Sequence, residues 1–241
     1  MELPYLKKIN IKKVSVDEFP YNTQLFIQGD LSLDMQGPIT ILCGENGAGK
    51  STLLKAVAES AGFSEIGGSS DHHTSQSTNL FDKGITLSWL PKITNGFYFR
   101  ADKLSDYSSY IDGIAEDGFT SVYQGLGDRS LDLQSHGQAV FGLISKYTST
   151  DRRSIVILDE PESSLSVASQ IRLVEIIYKL SQTSTQFLIA SHSPVILSLP
   201  GAKIMQVDEE GLQEIALEEV DNYLLTRQFI KEGKDFFKYL G

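Results

Sequence analysis

Short apolar runs alternate with longer segments of helical periodicity along most of the chain. The runs at residues 39–43, 154–158, 187–190 and 203–207 are rich in β-branched residues and end at polar or turn residues. Strands that are apolar on both faces are typical of a parallel sheet covered by helices. Between them, residues 138–147 and 170–181 space their apolar residues as one face of a helix. The alternation predicts an α/β fold with a mostly parallel core sheet flanked by helices. The apolar helix faces consist of Val140, Leu143, Ile144 and Tyr147, and of Leu173, Ile176, Ile177 and Leu180.

The segments that precede residue 39 follow a different pattern. Residues 7–16 and 23–35 alternate partly between polar and apolar positions, which predicts antiparallel strands with one solvated face. Residues 67–79 are rich in Gly, Ser, Thr and Asn and predict a loop. Residues 218–240 predict two helices that meet near Gly233. We expect a single domain over residues 1–241, with an antiparallel N-terminal β subdomain beside the core sheet.

Composition narrows the class of protein. The 241 residues include 31 acids and 21 bases, a net charge of −10 that does not attract phosphate backbones by default. The single cysteine, Cys43, lies in an apolar run, so we expect it to be buried and no intramolecular disulfide to form. No stretch approaches the roughly 20 apolar residues of a membrane-spanning helix, and the first residues lack the apolar core of a signal peptide. We therefore expect a cytoplasmic protein.

The stretch GENGAGKST, residues 44–52, lies between a predicted strand and a predicted helix. Gly44, Gly49, Lys50 and Ser51 match the pattern Gly-x-x-x-x-Gly-Lys-Ser. Glycines at these positions let backbone N–H groups point at phosphate oxygens, and the helix N-terminus adds its positive dipole end. Lys50 supplies a charge near the β and γ phosphates, and Ser51 a hydroxyl ligand for Mg²⁺. The predicted phosphate-binding residues are Gly44, Glu45, Asn46, Gly47, Ala48, Gly49, Lys50, Ser51 and Thr52.

Two later strands end in residues that suit phosphoryl transfer. The run SIVILDEPE, residues 154–162, delivers Asp159 to the carboxyl end of a strand, where it can hold Mg²⁺. Glu160 follows and can polarise an attacking water. The run FLIASHSP, residues 187–194, places His192 at the same predicted edge, within reach of a γ phosphate or that water. The predicted catalytic groups are thus Glu160, His192 and Lys50, with Ser51 and Asp159 as metal ligands.

The order of these motifs, with QSHGQ at residues 134–138 between them, resembles the ABC-type ATPases. Ser135, Gly137 and Gln138 match the Ser-Gly-Gly-Gln signature of that family, and His136 replaces its first glycine. The resemblance implies ATP and Mg²⁺ as ligands and an ATP-dependent, head-to-tail homodimer. In such a dimer, Ser135, Gly137 and Gln138 of one subunit contact the ATP held by the other.

The resemblance extends over nearly the whole chain and is closest to small, stand-alone predicted bacterial AAA/ABC ATPases. Residues 161–166 read PESSLS, where transporter subunits typically have Pro-Thr-Ser-Ala-Leu-Asp. Glu162 and Ser166 make this segment more similar to the DNA-repair branch of the family. Tyr21 and Phe26 are candidates for stacking on adenine. Gln76 and Gln124 lie in loop-like segments, and neither is assigned as the glutamine that the family places between P-loop and signature.

Three functions remain open at this stage. The first is an ATP-hydrolysing dimer that acts as a switch on a partner protein, in DNA repair or anti-phage defence. The second is the ATPase subunit of a membrane transporter. The third is an ATP-gated clamp for nucleic acid or a nuclease, with little turnover. The basic clusters available for that third role are Lys7, Lys8, Lys12 and Lys13, and Arg152 and Arg153.

Overall fold

The computed structural model describes residues 3–14, 20–27, 29–63, 84–116 and 136–239. The strands are β1 (Leu6–Ile11), β2 (Leu31–Asp34), β3 (Ile39–Cys43), β4 (Ile85–Trp89), β5 (Gly96–Arg100), β6 (Ser154–Asp159), β7 (Thr185–Ala190), β8 (Lys203–Asp208) and β9 (Gly211–Glu214). The helices are α1 (Gln24–Ile27), α2 (Lys50–Ala61), α3 (Leu104–Glu116), α4 (His136–Tyr147), α5 (Val167–Ser181), α6 (Pro194–Leu197) and α7 (Asp221–Glu232).

Six strands form the core sheet in the order β5-β6-β7-β3-β8-β9. All its pairs are parallel except the antiparallel hairpin of β8 and β9. A second, antiparallel sheet has the order β2-β1-β4. The mixed α/β class, with its parallel core and antiparallel N-terminal sheet, is confirmed. All four apolar runs predicted as strands are strands of the core sheet.

Burial along β6 shows how the sheet divides two hydrophobic clusters. Val156 and Leu158 pack into the cluster that contains residues of α3, α4 and α5. Ile155 and Ile157 pack into the other cluster, with residues of α2 and of the antiparallel sheet. All six positions of β6 are buried, as expected of a central strand covered on both faces. The apolar face predicted for residues 138–147 is buried in the first cluster, as expected.

The prediction of a strand throughout residues 23–35 is wrong in its first part. Residues Gln24–Ile27 form the short helix α1, and only Leu31–Asp34 pair with β1. Leu25 and Phe26 are both buried, with exposures of 1% and 0%. Two consecutive buried side chains fit one turn of helix, whereas a strand with one solvated face would expose every second residue.

Gln186 of β7 ties the two sheets together. Its side chain is fully buried, and its Oε1 accepts hydrogen bonds from the backbone N–H groups of Tyr5 (2.9 Å) and Leu6 (2.8 Å). Its Nε2 donates to the Leu6 carbonyl at 3.0 Å. One side-chain amide therefore satisfies three buried backbone groups at the start of the antiparallel sheet.

The C-terminal part matches the predicted break at Gly233. Helix α7 ends at Glu232, and a 3-10 turn begins at Gly233 and continues to Tyr239. Among the helices of the described ranges, none has the length and apolar character needed to cross a membrane. The predicted loop at residues 67–79, including His72 and His73, lies outside the described residues.

Candidate active site

The parallel strands β3, β6 and β7 bring three loops to one edge of the core sheet. β3 pairs with β7, and β7 pairs with β6, all in the same direction. The residues that follow their carboxyl ends are the P-loop at 44–49, Glu160, and the turn at 191–193. The three motifs singled out in the sequence therefore meet at one place, as ligand sites in open parallel sheets do.

The P-loop turn depends on glycine at its first position. Gly44 has φ 132°, and a Cβ there would lie 2.1 Å from the Val207 carbonyl oxygen of β8. Gly49 has φ 103° and caps the N-terminus of α2 in a left-handed conformation. The tip of the turn, Glu45 to Gly47, is exposed to solvent. The backbone thus forms the curl that the motif predicts, closely packed against β8 on one side.

Lys50, the first residue of α2, folds back over this turn. Its Nζ donates hydrogen bonds to the carbonyls of Gly44 (3.0 Å) and Glu45 (2.8 Å), and only 4% of the residue is exposed. Burial lowers the pKa of Lys50, and the neighbouring Glu160 and Asp159 act in the opposite direction. The ammonium group is held at the mouth of the loop, where phosphate oxygens would compete for its protons.

Asp159, the last residue of β6, is buried, and each of its carboxylate oxygens accepts a hydrogen bond. Ser51 Oγ donates to its Oδ1 at 2.9 Å, and the Tyr98 hydroxyl donates to its Oδ2 at 3.3 Å. Burial is the main cause that raises the pKa of Asp159 from 3.8 to about 6, and the bond from Ser51 partly offsets it. A buried carboxylate beside a hydroxyl oxygen suits Mg²⁺, which takes few protein ligands and completes its shell with phosphates and water. Accordingly, the described residues contain no larger His, Cys, Asp and Glu cluster that would hold a metal alone.

Glu160 adopts a backbone conformation that is unusual for its residue type. Its φ of 47° is left-handed, the only such value at a non-glycine position in the described ranges. Its N–H donates to the Ala190 carbonyl at 3.0 Å, which extends the pairing of β6 and β7 by one residue. Strained non-glycine residues cluster at functional sites, because the surrounding structure must hold them in place.

His192 faces Glu160 across the site. Its Nε2 lies 3.6 Å from Glu160 Oε1, beyond hydrogen-bond reach. Burial and the charge of Lys50 lower the pKa of His192, so the imidazole is neutral at pH 7. Its Nε2 is buried without a hydrogen-bond partner among the described residues. A neutral imidazole with one unbonded ring nitrogen is placed to bond a water or a phosphate oxygen.

A cleft of about 1040 Å³ opens beside the P-loop. Its lining includes P-loop residues with Ser191 and His192, and residues 206–210 and 220–222. The second group of lining residues includes the acids Asp208, Glu209, Glu210 and Asp221. The volume is that of sites for small ligands and cofactors.

The remaining predicted residues are placed in part. Thr52 lies in the first turn of α2 and is half-buried. Gly137 and Gln138 lie in the first turn of α4, where Gln138 is exposed, but Ser135 lies outside the described residues, as do Gln76 and Gln124. Tyr21 and Phe26 pack edge to face, with ring centroids 5.7 Å apart. Both rings are buried in the core, so this structure does not favour either for stacking on adenine.

Three contacts at the site were not anticipated from the sequence. Tyr98 is buried, and its hydroxyl donates a hydrogen bond to Asp159. Arg100 lies opposite Asp159 in the β5–β6 register and forms a two-bond contact with Asp102. Glu162 bonds the turn that carries His192. The available signal was the shared carboxyl edge of β5 and β6, which brings Arg100 beside Asp159.

Comparisons with known proteins find relatives among ATP-binding proteins. Residues 96–198 match the family model described as "AAA domain, putative AbiEii toxin, Type IV TA system", and residues 22–88 match one described as "AAA domain". Ribose import ATP-binding protein RbsA 2 of Burkholderia ambifaria is 30% identical over 180 residues, which is 68% of this chain. A solved ATP-binding cassette of an ABC transporter, in its ADP conformation, aligns with a TM-score of 0.51 at 15% identity. That alignment covers 99% of this chain and 100% of the cassette, and it shows a shared fold.

The chain belongs to the ABC-type P-loop ATPases. A further relative of this ATPase is achromobactin transport ATP-binding protein CbrD of Dickeya dadantii, 27% identical over 170 residues and 63% of this chain. The ABC-type ATPase spans 35% of the length of RbsA 2 and 62% of that of CbrD.

Proposed function

We propose that this ABC-type ATPase binds ATP with Mg²⁺ and hydrolyses it in a head-to-tail homodimer, which acts as a switch on a partner protein. The observation that carries the proposal is the meeting of Lys50, Asp159, Glu160 and His192 at one edge of the sheet. Phosphoryl transfer is accelerated mostly by positioning and by charge stabilisation, and these four side chains provide both.

Each group has a distinct part in the proposed reaction. Lys50 exchanges its two carbonyl partners for phosphate oxygens, and the P-loop N–H groups complete the cradle. Ser51 and Asp159 would hold Mg²⁺, and the bound ion would supply positive charge next to the phosphates. Glu160 orients the attacking water and accepts its proton. His192, neutral at pH 7, bonds the γ phosphate or that water through Nε2.

The dimer is inferred from the resemblance of Ser135, Gly137 and Gln138 to the signature of ABC-type ATPases. Gln138 is exposed to solvent in the first turn of α4. Ser135 and Gly137 would then contact the γ phosphate of the ATP held by the partner subunit. Each ATP therefore needs both copies for its hydrolysis, so closure of the dimer is linked to nucleotide binding.

The partner is proposed to belong to DNA repair or anti-phage defence. Glu162 and Ser166 depart from the transporter pattern. The description of the family model that residues 96–198 match names a toxin of a Type IV TA system. Both observations favour a partner other than a membrane domain.

The Glu160→Gln variant tests the proposed reaction. The amide keeps the shape of the side chain but cannot accept the proton, so we expect turnover to fall by about 100-fold or more. ATP binding is retained, and the variant accumulates as an ATP-bound dimer in size-exclusion chromatography. Glu175→Gln on the exposed face of α5 is the control and should hydrolyse ATP normally. Turnover near that of wild type in Glu160→Gln would overturn the assignment.

The second candidate is the ATPase subunit of a membrane transporter. RbsA 2 and CbrD are both named as ATP-binding proteins of import or transport. This function predicts that the Glu160→Gln protein, purified with ATP from detergent-solubilised membranes, carries an integral membrane protein with it. Recovery of soluble partners alone favours the switch.

The third candidate, a clamp on nucleic acid, has weaker support. Lys8 Nζ lies 3.4 Å from Asp34 Oδ1, and the Arg153 guanidinium lies over the Tyr5 ring at 6.0 Å. These basic side chains thus already have intramolecular partners. A DNA titration at several salt concentrations tests the clamp, since binding through phosphate contacts must weaken steeply with salt.

A further inference from the structure

Glu162 connects the two turns that carry Glu160 and His192. It lies in the 3-10 turn Pro161–Ser164, directly after Glu160. Its Oε1 accepts three hydrogen bonds, from Ser191 Oγ (2.8 Å), His192 N (2.6 Å) and Ser193 N (3.1 Å). All three donors belong to the turn between β7 and α6.

The contact requires a long, charged acceptor. Hydrogen bonds to a carboxylate are shorter and stronger than those between neutral groups, and here one oxygen receives three of them. Glu162 Oε2 is buried without a hydrogen-bond partner among the described residues, so Oε1 accepts the hydrogen bonds that these residues donate to the carboxylate. The threonine that transporter subunits typically have at this position is too short to make the same contact. The departure noted in PESSLS therefore has a structural consequence.

A second set of bonds fixes the same turn from α5. Ser193 Oγ donates to Gln170 Oε1 at 2.6 Å, and Gln170 Nε2 donates to the Leu165 carbonyl at 3.1 Å. Leu165 directly follows the 3-10 turn of Glu162. The turn of His192 is thus bonded directly to Glu162 and, through Ser193 and Gln170, to Leu165.

We propose that Glu162 is a positioning residue that fixes the separation of Glu160 and His192 by holding the backbone of the His192 turn. The proposal rests on the function proposed above, because Glu160 and His192 act on the same water and γ phosphate. In this proposal Glu162 touches neither the water nor the γ phosphate, and it acts on them through His192. The unbonded Nε2 of His192 remains directed at the site because its backbone N–H is held.

Steady-state kinetics of four variants test this role. In Glu162→Ala we expect kcat to fall by about 10- to 100-fold, the size of effect that a misplacement of about 1 Å has on a reacting group. The KM for ATP should change by less than about threefold, because Lys50 and the P-loop are untouched. Glu162→Gln keeps one acceptor oxygen and should recover part of the rate. Since Glu162 acts through His192, the double variant Glu162→Ala/His192→Ala should be no slower than His192→Ala.

Other outcomes overturn the proposal. A double variant whose loss is the product of the single losses shows that Glu162 acts independently of His192. Wild-type turnover in Glu162→Ala, or a rise in KM with kcat unchanged, shows that the contact does not position a group for hydrolysis. If Glu162→Ala does not fold, the same criteria apply to Glu162→Gln, whose shape matches the native side chain.

Hydrogen exchange separates this proposal from the proposed function. Loss of the carboxylate should increase deuterium uptake at residues 191–193 without nucleotide, whether or not the protein hydrolyses ATP. Unchanged uptake there refutes the role of Glu162 while leaving the ATPase reaction intact. If the Glu162→Ala variant shows increased uptake but the wild-type protein hydrolyses no ATP, the proposed function alone is refuted. Glu175→Ala is the control, because within the described ranges its exposed carboxylate bonds Lys179 of the same helix.

Discussion

Asp159 is the residue at which stability and chemistry conflict most directly. The residue is 5% exposed, and the hydroxyl groups of Ser51 and Tyr98, which donate hydrogen bonds to its carboxylate, are both neutral. Burial disfavours its charged form, so its pKa rises to about 6. A cation at this position relieves that cost, which links metal binding to the stability of the site.

The pH dependence of stability without metal or nucleotide should show this cost. The folded pKa of about 6 exceeds the unfolded value of 3.8, so the folded state binds the proton more tightly between these values. The contribution of Asp159 to the free energy of unfolding is therefore lost as pH rises from about 4 to 6. At pH 7 in EDTA, Asp159→Asn should be more stable than wild type by about 2–3 kcal/mol, and the difference should vanish near pH 4.

Urea denaturation between pH 4 and 8 measures this difference. Asp151→Asn, at an exposed turn position, is the control and should follow the wild-type curve. If the free energies of unfolding of Asp159→Asn and wild type differed by the same amount at every pH, this would contradict a raised pKa of the Asp159 carboxylate.

At this scale, the sequence predicts some contacts and not others. Asp159, Glu160 and His192 follow apolar strands, and a strand end is a local pattern that needs no tertiary information. The bond of Tyr98 to Asp159 depends on the register of β5 against β6. The bonds of Glu162 join turns 30 residues apart, and no local pattern specifies which donors a carboxylate will meet.

Among the elements, β7 has a polar residue where a buried strand needs none. Gln186 is fully buried, and its amide bonds the backbone of β1. The sequence predicted β7 correctly because its apolar run is continuous after this position. It did not predict α1, because the four residues of that helix are too few to show a period and tertiary packing decides their conformation.

Replacement of Gln186 by leucine should remove the hydrogen bonds through which β7 holds the start of the antiparallel sheet. The substitution leaves the N–H groups of Tyr5 and Leu6 and the Leu6 carbonyl buried without partners, at about 1–3 kcal/mol for each group. We expect the free energy of unfolding to fall by about 3 kcal/mol or more in urea denaturation. Deuterium uptake along β1 should rise more than uptake along β6.

Gln182→Leu is the matched control for this experiment, since Gln182 is exposed at the end of α5. It should change the free energy of unfolding by less than about 0.5 kcal/mol. Equal losses in the two variants would show that Gln186 does not hold β1.

At the scale of the whole molecule, the proposed dimer divides each site between two copies. Lys50, Asp159 and Glu160 contribute to the site of their own subunit, and Ser135 would contribute to the other. The sequence predicts this division only through the resemblance to the ABC family, because no pattern of apolar residues marks the face on which a second copy binds.

Mixing inactive variants tests this division. Lys50→Ala and Ser135→Arg should each abolish turnover, but a mixed dimer contains one site with an intact P-loop and an intact signature. Equal amounts that exchange subunits freely form mixed dimers half of the time, so we expect roughly a quarter of the wild-type rate. Lys50→Ala mixed with Glu160→Gln is the control and should recover nothing, because both defects lie on the same side of the site. Recovery in both mixtures, or in neither, contradicts the head-to-tail arrangement.

The central position of β3 has a consequence for synthesis of the protein. The strand that leads into the P-loop lies between β7 and β8, whose first residues follow Ile39 by 146 and 164 positions, from Thr185 and Lys203. At about 5–20 residues per second, a ribosome needs roughly 10 to 30 s to supply both neighbours. Throughout that interval a strand that is buried at all five positions in the folded protein has neither of its native partners, so we expect nascent chains of this ATPase to need chaperones that cover exposed strand edges.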